Sequence, residues 1–232
     1  MRRSRTPLAI RAAAVMAVVT PLCGPAPATA APRVPTVLGG TVLHGSNGAQ
    51  CVVGFNTTGG AGRHAVTLGH CAGTPTTPTT PTTWFADSSR TVQVGVSAGG
   101  SFPVDDYGVV RYTTSALVLP GEVTLGGGAV QDVTGSTSPA VGQRVCHVGR
   151  TSGLRCGTVT AVNATVNFAE GAVHGLFRST ACTEAGDSGG PAFSGTLAVG
   201  LVVGGSGSCA SGGVTYYQPV AEVLARFGLS VY

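Results

Sequence analysis

Thr183-Glu184-Ala185-Gly186-Asp187-Ser188-Gly189-Gly190-Pro191 is the stretch from which the rest of the chain is read. A serine set among glycines lets a ligand's backbone come close to the hydroxyl, and glycine lets main-chain N–H groups converge on the same point. An activated nucleophile and a seat for a negatively charged oxygen need both. A Gly-rich run with one serine is otherwise a tight turn. The partners it finds elsewhere in the chain decide between the two.

Gly186, Ser188 and Gly190 also satisfy Gly-x-Ser-x-Gly, the serine turn of α/β-hydrolases, in which an acid and then a histidine follow the serine. After Ser188 this chain has no His and no Asp, and its only carboxylate side chain is Glu222. An order of Asp before His is excluded as well. His64 and His70 have the right surroundings, and both precede the first acidic residue, Asp87. What remains is His, then Asp, then Ser. His70 lies in Thr67-Leu68-Gly69-His70-Cys71, at the end of an apparent strand, whereas His64 lacks the flanking Gly and Cys. Asp106 lies at the mouth of another strand, in Val104-Asp105-Asp106-Tyr107-Gly108, with Asp105 as its competitor. His44, His147 and His174 are expected to be satisfied core residues.

The amino terminus carries Arg2, Arg3, Arg5 and Arg11, an apolar run from Ala12 to Val19, and Ala28-Thr29-Ala30. That order describes a secretory signal peptide over residues 1–30, too short in its apolar part to span a bilayer. The formal charge of +4 comes from 13 basic against 9 acidic residues. Four of the arginines lie in the leader, so from Ala31 onward nine face nine. No basic footprint for nucleic acid survives, and the chain has no lysine. Seven cysteines become six without Cys23, an even number suited to disulfides in an exported protein. Six cysteines allow 15 pairings. With no Cys-x-x-Cys and with scattered histidines, no metal or other cofactor is expected.

Short stretches rich in Val, Thr and aromatic residues recur between Gly-rich turns: 51–55, 65–68, 92–96, 107–112, 158–162, 197–203 and 214–217. Many short strands with such turns predict an all-β sandwich or barrel. One helix is predicted after Pro219, with Val220, Val223, Leu224 and Phe227 on one face and Gly228 as its cap, packed on the second half of the fold. The Thr/Pro run Thr74 to Thr83 reads as an extended, exposed loop.

Taken together, the islands around His70, Asp106 and Ser188 resemble the streptogrisin branch of the chymotrypsin-like serine proteases, a branch that includes α-lytic protease, from about Val37 to Tyr232. The resemblance implies two packed six-stranded antiparallel β-barrels with the site in the cleft between them. Residues 31–37 would be a short pro or linker segment and 38–232 the protease domain, its barrels dividing near 115–140. Ser188 would be the nucleophile, His70 its base, Asp106 the residue orienting His70, and the N–H groups of Gly186 and Ser188 the oxyanion hole. The resemblance also implies the disulfides Cys51–Cys71, Cys146–Cys156 and Cys182–Cys209. Thr183, Ala185, Val203, Gly204, Gly205 and Thr215 would line the pocket for the residue before the cut. None of them carries a charge, so medium to large apolar residues such as Leu, Phe, Tyr or Met are expected there. A secreted monomer acting on peptide or protein substrates follows, without nucleic acid or a stable membrane anchor.

Three departures from the family's pattern stand out. Val203 replaces a serine whose hydroxyl bonds the orienting Asp, and His147 replaces an arginine that pairs with the Asp beside the nucleophile. A protonated His147 is expected to take over the pairing with Asp187 and to lose it as pH rises. Relatives also carry a long pro-region, where this chain has only Ala31 to about Thr36 between leader and mature-like start. These departures motivate an alternative, a catalytically weak or silent binding protein on the same fold. An esterase using the same machinery is a third.

Overall fold

The computed structural model describes residues 34–73 and 81–232. The expected signal peptide and most of the Thr/Pro run fall outside them. Val34–Tyr232 form one compact unit.

Six strands make the first barrel: β1 (Val42–Gly45), β2 (Gln50–Val52) running on into β3 (Phe55–Gly59), β4 (Gly62–Thr67), β5 (Thr83–Phe85), β6 (Gln93–Ser101) and β7 (Tyr107–Tyr112). The short helix α1 (Gly69–Ala72) follows β4. β1 pairs with both β2 and β5, and the ladder continues β5-β6-β7-β4-β3, antiparallel throughout. Between β2 and β3 the backbone holds its place. The N–H of Val53 donates to Thr41 O and that of Gly54 to Val66 O, both at 2.8 Å. The ring therefore closes with β2 and β3 as one bent strand.

A hairpin of β8 (Glu122–Gly126) and β9 (Ala129–Asp132) leads to the second barrel. Its two-residue entry strand β10 (Gly135–Ser136) is followed by β11 (Arg144–Gly149), β12 (Gly153–Phe168), β13 (Gly171–Ser179), β14 (Pro191–Ser194), β15 (Leu197–Ser208) and β16 (Gly212–Pro219). The sheet runs β15-β14-β11-β12-β13-β16, and β16 pairs back to β15, again all antiparallel. The two six-stranded barrels implied by the resemblance are thus both present.

Neighbouring residues of the central strands serve two different cores, because successive side chains of a strand point to opposite faces. Ala65 and Val110 fill the first barrel with Trp84, Val53 and Leu43. Their neighbours Val66 and Val109 face the seam between the barrels. In the second barrel Val202 points inward with Phe177 and Tyr217, while Leu201 and Val203 face the same seam. Both faces of these strands are dry, which is why 197–203 reads as a continuous apolar run rather than an alternating one.

The predicted helix is α2 (Val220–Phe227), entered at Pro219 and ended by Gly228 in the left-handed conformation. It packs on β15 of the second half, as expected, and reaches the first barrel as well. Val220, Val223 and Leu224 are buried in the seam cluster that both barrels share, and the Phe227 ring meets Tyr107 of the first barrel edge-on at 6.1 Å. The chain then adds β17 (Leu229–Val231) to the outer edge of β3. A face carrying four apolar residues finds enough apolar surface only where the two barrels meet.

Candidate active site

Every sequence-predicted catalytic residue sits at a strand end on the seam. His70 follows β4 on α1, Asp106 immediately precedes β7, and Ser188 lies in the turn before β14. Glycine is needed twice for this approach. A Cβ on Gly69 would lie 2.0 Å from Ser101 O, and one on Gly108 2.7 Å from Leu68 O. The Cys51–Cys71 disulfide fixes the residue after His70. Cys146–Cys156 joins β11 to β12, and Cys182–Cys209 ties the approach to Ser188 to the end of β15.

The fully buried Asp106 carboxylate receives two hydrogen bonds from His70: the backbone N–H to Oδ1 at 3.0 Å and Nδ1 to Oδ2 at 2.7 Å. Nδ1 carries the proton in that bond, leaving Nε2 as a base. The His70 side chain remains 31% exposed. Asp105 instead accepts from Ser101 Oγ at 3.1 Å and does not compete. Ser188 and His70 line one cleft of about 690 Å³. In it the Ser188 hydroxyl turns toward Val203 O at 3.4 Å.

The side chain of Val203 is buried among the seam residues and offers Asp106 nothing. A different group holds the Asp106 loop. Gln218 of β16, fully buried, accepts the Asp106 N–H at 2.9 Å and donates to Glu222 Oε2 on α2 at 2.8 Å. A glutamine 112 residues away carries no motif, and sequence reasoning passed it over.

Asp187 gives the turn around Ser188 its shape. Its buried carboxylate accepts from Thr151 N at 2.8 Å, Ser152 N at 3.0 Å, Glu184 N at 2.8 Å and Thr183 Oγ1 at 3.0 Å. Burial opposes its ionisation, but hydrogen bonds from Ser152, Glu184 and Thr151 together outweigh burial and hold the carboxyl below the usual range. Gly186 stands at φ +96°, a conformation that needs glycine. Among the described residues, no acceptor engages the N–H of Gly186 or of Ser188.

The expected pairing of His147 with Asp187 is not formed. His147 lies fully buried inside the second barrel, and its Nδ1 bonds Tyr217 Oη at 2.8 Å, while Nε2 has no partner. Desolvation drives its pKa down to about 4 against a weaker pull from Asp187. The ring is neutral at neutral pH, and four other groups satisfy Asp187. Nor do the remaining histidines match the expectation of core residues. His174 is exposed and bonds Thr165 Oγ1, His44 is half-buried, and it is His64 that joins His147 in the interior.

In the expected specificity pocket, Thr183 donates its hydroxyl to Asp187 Oδ2 and Thr215 donates its own to Ala181 O at 2.7 Å. Both hydroxyls are thereby engaged. A Cβ on Gly205 would stand 2.5 Å from Thr183 Cγ2, so the two walls nearly touch there.

A trypsin-family profile matches residues 38–226. Streptogrisin-D of Streptomyces griseus is 42% identical over 88% of this chain, which spans half the length of that relative. Glutamyl endopeptidase 2 of the same organism is 42% identical over 84% of this chain and the whole of its own. Among solved structures, α-lytic protease homolog N4 shares 51% identity over 85% of this chain and all of its own, with a TM-score of 0.76.

Proposed function

The chain belongs to the trypsin family of serine proteases, and from that premise we propose that it is a secreted endopeptidase cutting peptide bonds through an acyl-enzyme on Ser188. Support comes above all from one arrangement: a buried Asp106 holding His70 at 2.7 Å, with Ser188 in the same cleft beside two unengaged N–H groups. His70 Nε2 takes the proton of Ser188 as Oγ attacks the scissile carbonyl, and returns it to the leaving amine; water then repeats the cycle on the ester. Asp106 stabilises the imidazolium, and the N–H groups of Gly186 and Ser188 receive the oxyanion, each such donor contributing roughly 2.7–4 kcal/mol. The substrate's acyl side runs along the Gly204–Gly205 edge of β15.

The residue before the cut meets an uncharged surface of Ala185, Gly204 and Gly205 with Thr183 behind it, since Thr215 and the Val203 side chain are buried. The close approach of Thr183 to Gly205 limits its depth. That favours Leu and Met over Phe and Tyr, a narrower range than the sequence expectation, and offers no positive charge to a Glu. The leader, residues 1–30, serves export, and residues 38–232 form the protease domain.

The test is the intact mass of the secreted protein before and after a fluorophosphonate, with the modified peptide mapped. One stoichiometric adduct on Ser188, absent in Ser188→Ala, supports the proposal. No adduct on a protein with all three disulfides formed would favour the silent binding module.

A further inference from the structure

Two clefts meet at Ser188 and His70, and they carry opposite charge. The larger, about 690 Å³, includes Val203, Phe102, Phe168 and Glu170. The smaller, about 380 Å³, includes Gly186, Gln50, Cys71 and Arg150. Val203 leads into the Gly204–Gly205 edge assigned to the acyl side. The larger cleft therefore receives residues on the amino side of the cut, and the smaller one those on the leaving side.

Glu170 stands in the turn between β12 and β13. Among the described residues it makes no ion pair and no side-chain hydrogen bond. Beside it a row of rings runs to the catalytic histidine: Phe168 meets Phe102 edge-on at 5.8 Å, and Phe102 meets His70 edge-on at 5.6 Å. A carboxylate beside aromatic rings fits one side chain best. The guanidinium of arginine pairs with a carboxylate through two parallel N–H bonds and lies flat on aromatic faces, whereas the ammonium of lysine is a compact, strongly hydrated charge. On the other side of Ser188, Arg150 donates to Gln50 Oε1 at 2.5 Å and repels a cation.

We propose that Glu170 makes this cleft select an arginine at one of the second to fourth positions on the amino side of the cut, and that Arg150 disfavours the same residue on the leaving side. The inference rests on the endopeptidase reading and adds the substrate class. Both charges are solvent-exposed, so the effect is modest. About a two- to fivefold gain in kcat/KM corresponds to a well-placed exposed ion pair.

The experiment compares peptides that share a Leu before the cut and carry Arg, or its neutral isostere citrulline, at the second, third or fourth position upstream, or the second downstream. The ratio of kcat/KM for Arg over citrulline is measured for the parent enzyme and for Glu170→Gln. Taking the ratio within each enzyme cancels any general loss of activity. Expected is a ratio of about two to five at one upstream position, a ratio below one downstream, collapse toward one in Glu170→Gln, and weakening in 1 M salt, where the screening length falls to about 3 Å. A parent ratio near one at all upstream positions, or an unchanged ratio in Glu170→Gln, overturns the inference while leaving the endopeptidase intact. A protein that labels at Ser188 but cuts none of the peptides overturns both.

Discussion

His147 shows how one residue's surroundings, rather than its type, decide its role. As a cation it would replace the family's arginine beside Asp187. Buried between Tyr217 and the barrel wall, it is neutral instead, with a pKa lowered to about 4 by desolvation. Unfolded, the ring titrates near 6.5. Its folded pKa being the lower, the unfolded chain binds more protons between these values, and stability is lost as pH falls from about 6.5 toward 4. The loss is on the order of 3 kcal/mol, since one pKa unit corresponds to about 1.4 kcal/mol. The predicted sensitivity is thus acidic, opposite to the alkaline one that a His147–Asp187 pair implies. Melting temperatures between pH 4 and 7 check it: His147→Phe is expected to flatten the slope over this window. An equal slope in the variant would place the acid sensitivity elsewhere, with Asp187 the next group to examine at still lower pH.

Elements differ in how openly they declare themselves. β4, β7 and β15 were legible because both of their faces are apolar, and α2 because its face, start and cap agree. The second barrel's long hairpin was read only in part, at 158–162. β12 lies mostly exposed and breaks register with β13 three times, at Val159/Ala161, Ala161/Ala164 and Ala164/Val166, so no period of two survives over its length. The residues of the proposed triad could be singled out because they sit in short motifs. Gln218 was not, because contacts between β16 and β7 are set by how the barrels dock, which no local pattern records. That docking carries a prediction. Gln218→Leu leaves the buried Asp106 N–H and Glu222 without partners, at about 1–3 kcal/mol for each unsatisfied group. A lower melting temperature is expected, with kcat reduced and KM little changed, because Asp106 is released from its place while the substrate walls stay. If kcat holds while stability drops, Gln218 supports the fold alone.

On the scale of the whole molecule, the site belongs to neither barrel. His70 and Asp106 come from one and Ser188 from the other, and the seam cluster of Leu68, Val109, Val148, Leu201 and Val203 sets their spacing. Fully burying each such side chain contributes about 1.5–3 kcal/mol, so a handful of them makes the docking firm. α2 and β17 add a strap, rooted in the second barrel and paired antiparallel with β3 of the first from Leu229↔Gly59 to Val231↔Thr57. Removing residues 229–232 is expected to lower activity more than secretion or disulfide content, measured by titrating Ser188 with a fluorophosphonate. Full labelling in the truncated protein would show that the seam needs no strap. The strap also has a consequence in time. A chain is made from its amino end, so the outer edge of β3 waits for its partner until Val231 has been added. Both barrels can form before the strap arrives to clamp them. A copy that lacks only the strap therefore holds every strand of both barrels and all three residues proposed for cutting, in a frame not yet clamped.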